Sequence, residues 1–156
     1  MLEIAVPGFG PVRLTHLVSD FTGTLSVDGE LLPGVGVRLQ RIAAMLTVHI
    51  LTADTFGKAR EALQGIDCRI TILTGEAHDV QKEGFVRNLG PEQVVAFGNG
   101  NNDRRMLKRA KLGIAVSEGE GCSVKALVNA DIHVCRAVDG LDLLLHPKRC
   151  LATLRY

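Results

Sequence analysis

Short continuous apolar runs alternate along this chain with longer stretches in which apolar positions recur every third or fourth residue. The runs "RLTHLVS", "TVHILTAD", "CRITIL", "QVVAFGNG", "LGIAV" and "DIHVCRA" read as strands. They are continuous where an in/out alternation would mark a half-exposed sheet, as expected of strands covered on both faces. Between them lie helix patterns. "GVGVRLQRIAAML" places Val37, Ile42, Met45 and Leu46 on an inner face with Arg38 and Arg41 outward, and "TFGKAREALQG" runs from a Thr cap to a Gly stop. "AHDVQKEGFVRNLG" ends at Gly90, "NNDRRMLKRA" and "GCSVKALVNA" follow, and "VDGLDLLLHPKRCLATLR" should break at Pro147.

Ahead of this alternation, "LEIAVPGFGPVRLTHLVSD" reads as two extended segments joined at Pro7-Gly8. "TLSVDGELL" carries Asp28-Gly29, a strong short hairpin signal, and predicts a small β-flap just after the first core strand. The βα alternation implies an α/β fold: a Rossmann-like parallel sheet with helices on both faces. No repeat, linker or low-complexity segment divides the chain, so residues 1–156 read as one domain without a cap insertion.

Composition narrows the functional classes. The formal charge of +1 gives no global basic field for nucleic acid or acidic membranes. No apolar run approaches the ~20 residues of a membrane span, and the N-terminus lacks a signal-peptide pattern. Cys68, Cys122, Cys135 and Cys150 form no CxxC pair and read as reduced, mostly buried residues of a cytoplasmic protein. The five histidines show no metal-binding spacing, and the dense basic run "RRMLKRAK" reads as a solvated helix face.

In parallel sheets of this kind ligands bind at the carboxyl ends of the strands. Those ends carry Asp20-Phe-Thr-Gly-Thr, Thr52-Ala53-Asp54 and Gly98-Asn-Gly-Asn-Asn-Asp103, with Lys82 on the helix before the last. Asp20 alone would read as a strand exit or cap. Together the groups suit a phosphoryl group: Asp20 as nucleophile, and Gly23 letting the backbone curl so that amides face phosphate oxygens. Thr24 adds a donor, and Thr52 and Lys82 meet the equatorial charge. Asp20, Asn99 and Asp103 form an all-oxygen set suited to Mg²⁺. Asp54 reads either as part of this cluster or as a helix cap, with the cap preferred.

"DFTGTLSVDG", "ILTADT", "QKEGFVRNLG" and "VAFGNGNNDRRML" resemble, in order, the four motifs of the haloacid dehalogenase-like phosphohydrolases, most closely the phosphorylation domain of P-type ATPases. The resemblance spans roughly Leu14 to Ala137 and implies a Mg²⁺-dependent phosphohydrolase working through an aspartyl phosphate on Asp20. It implies that the Thr22 carbonyl joins Asp20, Asn99 and Asp103 around the metal, and that Thr52, Ala53, Lys82 and Asn102 meet the phosphate. The expected partner is a phosphorylated small molecule or a phosphoprotein, and an uncapped site is compatible with a homo-oligomer.

This sequence departs from the family pattern in three ways. Residues 25 to 51 leave no room for the ATPases' nucleotide-binding insertion. Thr22 stands where ordinary phosphatases of the family carry a general acid/base, whose loss costs about 10²–10⁴-fold and least with good leaving groups. Asn99 replaces the first Asp of the fourth motif and brings no charge to the metal. The alternative reading is a phosphate- or phosphoprotein-binding regulatory module that does not turn over.

Overall fold

The computed structural model describes residues 1–156. Six parallel strands form the central sheet: β3 (His16–Ser19), β6 (Thr47–Thr52), β7 (Arg69–Ile72), β8 (Val94–Gly98), β9 (Leu112–Val116) and β10 (Ile132–Val134). Their spatial order is β10-β9-β8-β3-β6-β7, so β3 lies centrally between β6 and β8. Strand order reverses at β3, which sets the ends of β3, β6 and β8 side by side.

Successive residues of each central strand feed opposite cores, as a period of two requires. Leu17, Ile50, Val95 and Phe97 face a large core closed by α1 (Val35–Ala43), α6 (Ala137–Leu145), α7 (Pro147–Leu154) and the antiparallel hairpin of β1 (Leu2–Val6) and β2 (Gly10–Leu14). Val18, Leu51, Val94 and Ala96 face a smaller core under α3 (His78–Leu89), α4 (Arg104–Arg109) and α5 (Val124–Leu127). Both faces of the sheet are therefore covered, which accounts for the unbroken apolar character of β8 and β9. The flap forms as expected, with β4 (Ser26–Val27) paired to β5 (Glu30–Leu31) across Asp28-Gly29. Both turn residues have positive φ, 52° and 79°, as a two-residue hairpin turn demands.

Several local expectations are corrected. Val37 points to solvent, and the buried stripe of α1 is Val35, Leu39 and Ile42; Arg38 on the neighbouring face reaches across to pair bidentately with Asp142 of α6 at 2.8 and 3.0 Å. "RLTHLVS" is split at Thr15 between β2 and β3. The helix predicted from Thr55 shrinks to α2 (Ala59–Ala62), and that predicted over 121–130 to α5, which Ser123 caps by accepting from the Ala126 amide. β7 is an edge strand with exposed alternate residues. Only Cys150 is fully buried, and Cys135 is exposed. The basic run is two-sided: Met106 and Leu107 are core, while Arg104 and Arg105 pair with Asp79. No helix is long and apolar enough to cross a membrane.

One buried polar pair sits at the opposite end of the sheet from the predicted site. His49 Nε2 lies 3.2 Å from His16 Nδ1 beneath the edge of Phe85. Burial, then His16 and Arg69, pull the His49 pKa down to about 4. The folded state thus holds the neutral ring, and its contribution to stability is complete above the unfolded value of about 6.5. It is lost as pH falls from there through about 4. His49→Leu should therefore lose less stability than wild type between pH 7.5 and 4.5, read as the fall in Tm across that range.

Candidate active site

Asp20 immediately follows β3, and its amide still bonds to Phe97 O at 3.0 Å, so the sheet ladder itself aims the residue. The residue is 6% exposed. Lys82, on α3, is completely buried and places Nζ 2.7 Å from Asp20 Oδ1 and 2.6 Å from Asp103 Oδ1. A buried lysine without partners would lose its charge; here desolvation is outweighed by the two carboxylates and their hydrogen bonds, and the pKa rises above its ordinary value. Burial, and then the Asp103 carboxylate, push the Asp20 carboxyl up to about 7 against the pull of Lys82. With Asp20 ionised, one cation between two carboxylates leaves the group one negative charge in excess.

Asp103 Oδ2 accepts from the amides of Asn99 and Gly100, both at 2.9 Å. Both Asp103 oxygens are thus held by protein donors. The carboxylate can fold under its own loop because Gly98 has no side chain; a Cβ there would lie 2.5 Å from Asp103 Cβ. Gly23, at φ 80°, plays the matching part in the first motif, where a Cβ would lie 2.5 Å from Asn99 Nδ2. Asn99 packs over this glycine, donates through Nδ2 to Gly121 O at 3.0 Å and turns Oδ1 towards Thr24.

The Thr24 hydroxyl lies 3.2 Å from Asp20 Oδ2 and 3.0 Å from Asn99 Oδ1. It has one proton for two acceptors, so an acceptor oxygen is always left without it. Two converging oxygens short of a donor, in a cluster with excess negative charge, are what a hard cation neutralises.

A cleft of about 180 Å³ opens over Asp20. Thr22, Thr52, Ala53 and Thr55 line it together with Asn99, Gly100 and Asn102. Thr52 Oγ1 accepts the Asp54 amide at 2.9 Å, which leaves its own proton for a ligand in the cleft. The expectation that amides at Gly23 face the ligand is corrected: the Gly23 and Thr24 amides donate to Ser26 O and Phe21 O. Among the residues lining the cleft, the amides of Thr22, Ala53, Thr55 and Asn102 find no acceptor in the chain. Asp54 is turned away, and its Oδ1 accepts from the amides of Lys58 and Ala59 at 3.0 and 2.9 Å, so it tethers the start of α2.

The structure thus brings Asp20, Thr22, Thr24, Thr52, Ala53, Lys82, Asn99, Asn102 and Asp103 to one sheet edge. Sequence reasoning missed Thr55 and Gly100, which line the cleft, and Gly121, whose carbonyl orients Asn99. Thr55 closes the motif "ILTADT", where it reads as a helix cap, and Gly100 lies within "VAFGNGNNDRRML"; a backbone carbonyl in a loop far along the chain carries no sequence signal.

A doubly covered parallel sheet with an aspartate at its switch point, a buried lysine behind it and an oxygen-rich cleft in front defines a Rossmann-like hydrolase architecture. A family profile of haloacid dehalogenase-like hydrolases matches residues 79–133. An uncharacterized protein of Methanocaldococcus jannaschii is 47% identical over 64 residues, which are 41% of this chain and 69% of that one. A probable copper-exporting P-type ATPase of Archaeoglobus fulgidus is 30% identical over 106 residues, 67% of this chain but only 13% of the ATPase. Among solved structures, the 3-deoxy-D-manno-octulosonate 8-phosphate phosphatase of Moraxella catarrhalis, in complex with a magnesium ion, a phosphate ion and a KDO molecule, superposes with a TM-score of 0.66. It is 18% identical, with 92% of this chain and 95% of that chain covered. Residues 79–133 thus match the haloacid dehalogenase-like hydrolases, the fold is one that such phosphatases share, and a segment of the chain is similar to P-type ATPases.

Removing the central cation leaves two carboxylates buried against each other. Lys82→Met should cost about 3–5 kcal/mol of stability and drive the Asp20 pKa above 7. Urea denaturation and ¹³C carboxyl titration by NMR would read the two effects.

Proposed function

We propose that the chain is a phosphohydrolase of one uncapped domain, dependent on a divalent cation, that works through an aspartyl phosphate on Asp20. The observation that carries this reading is the Asp20 carboxylate on the floor of an otherwise uncharged cleft, with one oxygen held by a buried ammonium and the other facing Asn99 and Thr24. A structural carboxylate has no need of an open cleft before it. Asp20 attacks phosphorus. The Thr52 hydroxyl and the free amides of Thr22 and Ala53 receive the equatorial oxygens, and Asn102 closes the pocket wall. Lys82 aligns the carboxylate and offsets part of the charge, while Asp103 holds Lys82 and the Asn99–Gly100 turn in place.

Asp20, Asn99 Oδ1 and the Thr22 carbonyl would hold Mg²⁺; Asp103, whose two oxygens are engaged by Lys82 and the Asn99 and Gly100 amides, would act by fixing that set. The cation supplies charge that lets an anionic phosphate approach a carboxylate. Support for a metal comes from the proton-poor oxygens described above and from the magnesium in the Moraxella phosphatase complex. A phosphorylated small molecule is favoured over a phosphoprotein because the structurally similar Moraxella protein is a sugar-phosphate phosphatase. The cytoplasm is the proposed compartment, and the binding-module alternative is less favoured because it gives Asp20 no task.

Hydrolysis of p-nitrophenyl phosphate should require Mg²⁺ and fall at least about 10³-fold in Asp20→Asn, with Thr52→Ala losing about 10-fold or more. Mg²⁺ with beryllium fluoride, an aspartyl-phosphate mimic, should raise the Tm of wild type but not of Asp20→Asn. Absence of turnover with several divalent metals would sink the hydrolytic cycle.

A further inference from the structure

We infer that the substrate is a phosphate ester whose leaving group departs without a proton, and specifically an aryl phosphate; this rests on the Asp20 chemistry proposed above. The volume of the cleft is about that of six water molecules in the liquid. It accommodates a phosphoryl group and its immediate solvation, so the leaving group sits at the mouth.

Asp20 is the one titratable side chain lining the cleft. Lys82 and Asp103 lie behind it, bonded to one another, and Asp54 is committed to two backbone amides. The threonine hydroxyls are too weakly acidic to protonate a departing oxygen. In the first step a bond forms between an Asp20 carboxylate oxygen and phosphorus. The ester P–O bond breaks, and its electron pair stays on the leaving oxygen. A phenoxide, whose conjugate acid has a pKa of about 10, can leave as an anion, whereas an alkoxide is far more basic. In the second step a water oxygen bonds to phosphorus and the bond from phosphorus to Asp20 breaks. The carboxylate is restored, and both water protons leave on dihydrogen phosphate. No protein acid or base is needed in either step.

The cations nearest in sequence to the cleft residues are engaged, Lys58 by Glu30 and Arg104 by Asp79 and the Asn101 carbonyl, so neither offers an unpaired charge to the second phosphate of an anhydride. Phe56 follows the cleft-lining Thr55, is 44% exposed and has its Cβ against the flap turn at Gly29. An exposed aromatic side chain one residue from the cleft wall suits a stacked aryl group.

The test measures kcat/KM of the full chain with Mg²⁺ for ring-substituted phenyl phosphates, an alkyl phosphate, acetyl phosphate and a nucleoside diphosphate. Rates should fall steeply as the leaving phenol becomes more basic, with the alkyl phosphate at least about 100-fold below phenyl phosphate. Thr22→Asp, which puts an acid on the cleft wall, should narrow that gap. Phe56→Ala should raise KM for phenyl phosphates about fivefold and more than for acetyl phosphate. Alkyl and phenyl phosphates turned over within about threefold of each other would overturn the inference while leaving the Asp20 chemistry standing. So would a tenfold preference for acetyl phosphate or the diphosphate. Turnover that survives in folded Asp20→Asn, or no turnover of any substrate, would overturn the hydrolytic reading and this inference with it.

Discussion

The arrangement depends on a lysine ammonium buried between two carboxylates. Lys82 reaches Asp20 and Asp103 from a helix whose only other fully buried residue is Val86; Lys82 and Asp103 are shut off from water, and Asp20 meets it only at the floor of the cleft. Desolvating such groups is costly unless each finds partners. The partners are supplied from three places: Lys82 from α3, Thr24 from the loop after β3, and the Asn99 and Gly100 amides from the turn after β8. The adjacency of β3 and β8 makes this assembly possible, and the excess negative charge it leaves is the electrostatic reason for a cation to join it.

The rim is held by weaker contacts that set the size of the cleft. Asn99 donates to Gly121 O, so the loop after β9 is tied to the nucleophile loop through one carboxamide. A carboxylate at that position would face a carbonyl with no proton between them, which gives the amide a structural reason to stand where the family has an aspartate. From the same loop Glu120 accepts the Asp28 amide at the flap tip, and Gly119 approaches Val27. On its other side the flap is held by Lys58 through Glu30. The flap therefore bridges two rim loops and confines the opening over Asp20.

Most of the architecture was legible along the chain because doubly buried strands and amphipathic helices carry strong periodic signals. The six core strands, the flap at Asp28-Gly29, the break at Pro147 and the stop at Gly90 all stand where the pattern puts them. The signal failed where elements were short. Helices α2 and α5 last a single turn, and their sequences read longer than the packing allows. Val37 was misassigned because a valine at helical spacing is indistinguishable from a core valine until the neighbouring helix is in place.

The sequence by itself determined the fold class, the family resemblance and the identity of the polar groups at the strand ends, since these follow from local periodicity and four short motifs in order. Tertiary structure alone decided what each group is free to do. It turned the Gly23 and Thr24 amides inward and left those of Thr22 and Ala53 open. It satisfied both oxygens of Asp103, and it made Thr24 share one proton between Asp20 and Asn99. Hydrogen bonding and desolvation depend on neighbours distant along the chain, and no spacing in the sequence records which donor has already been used.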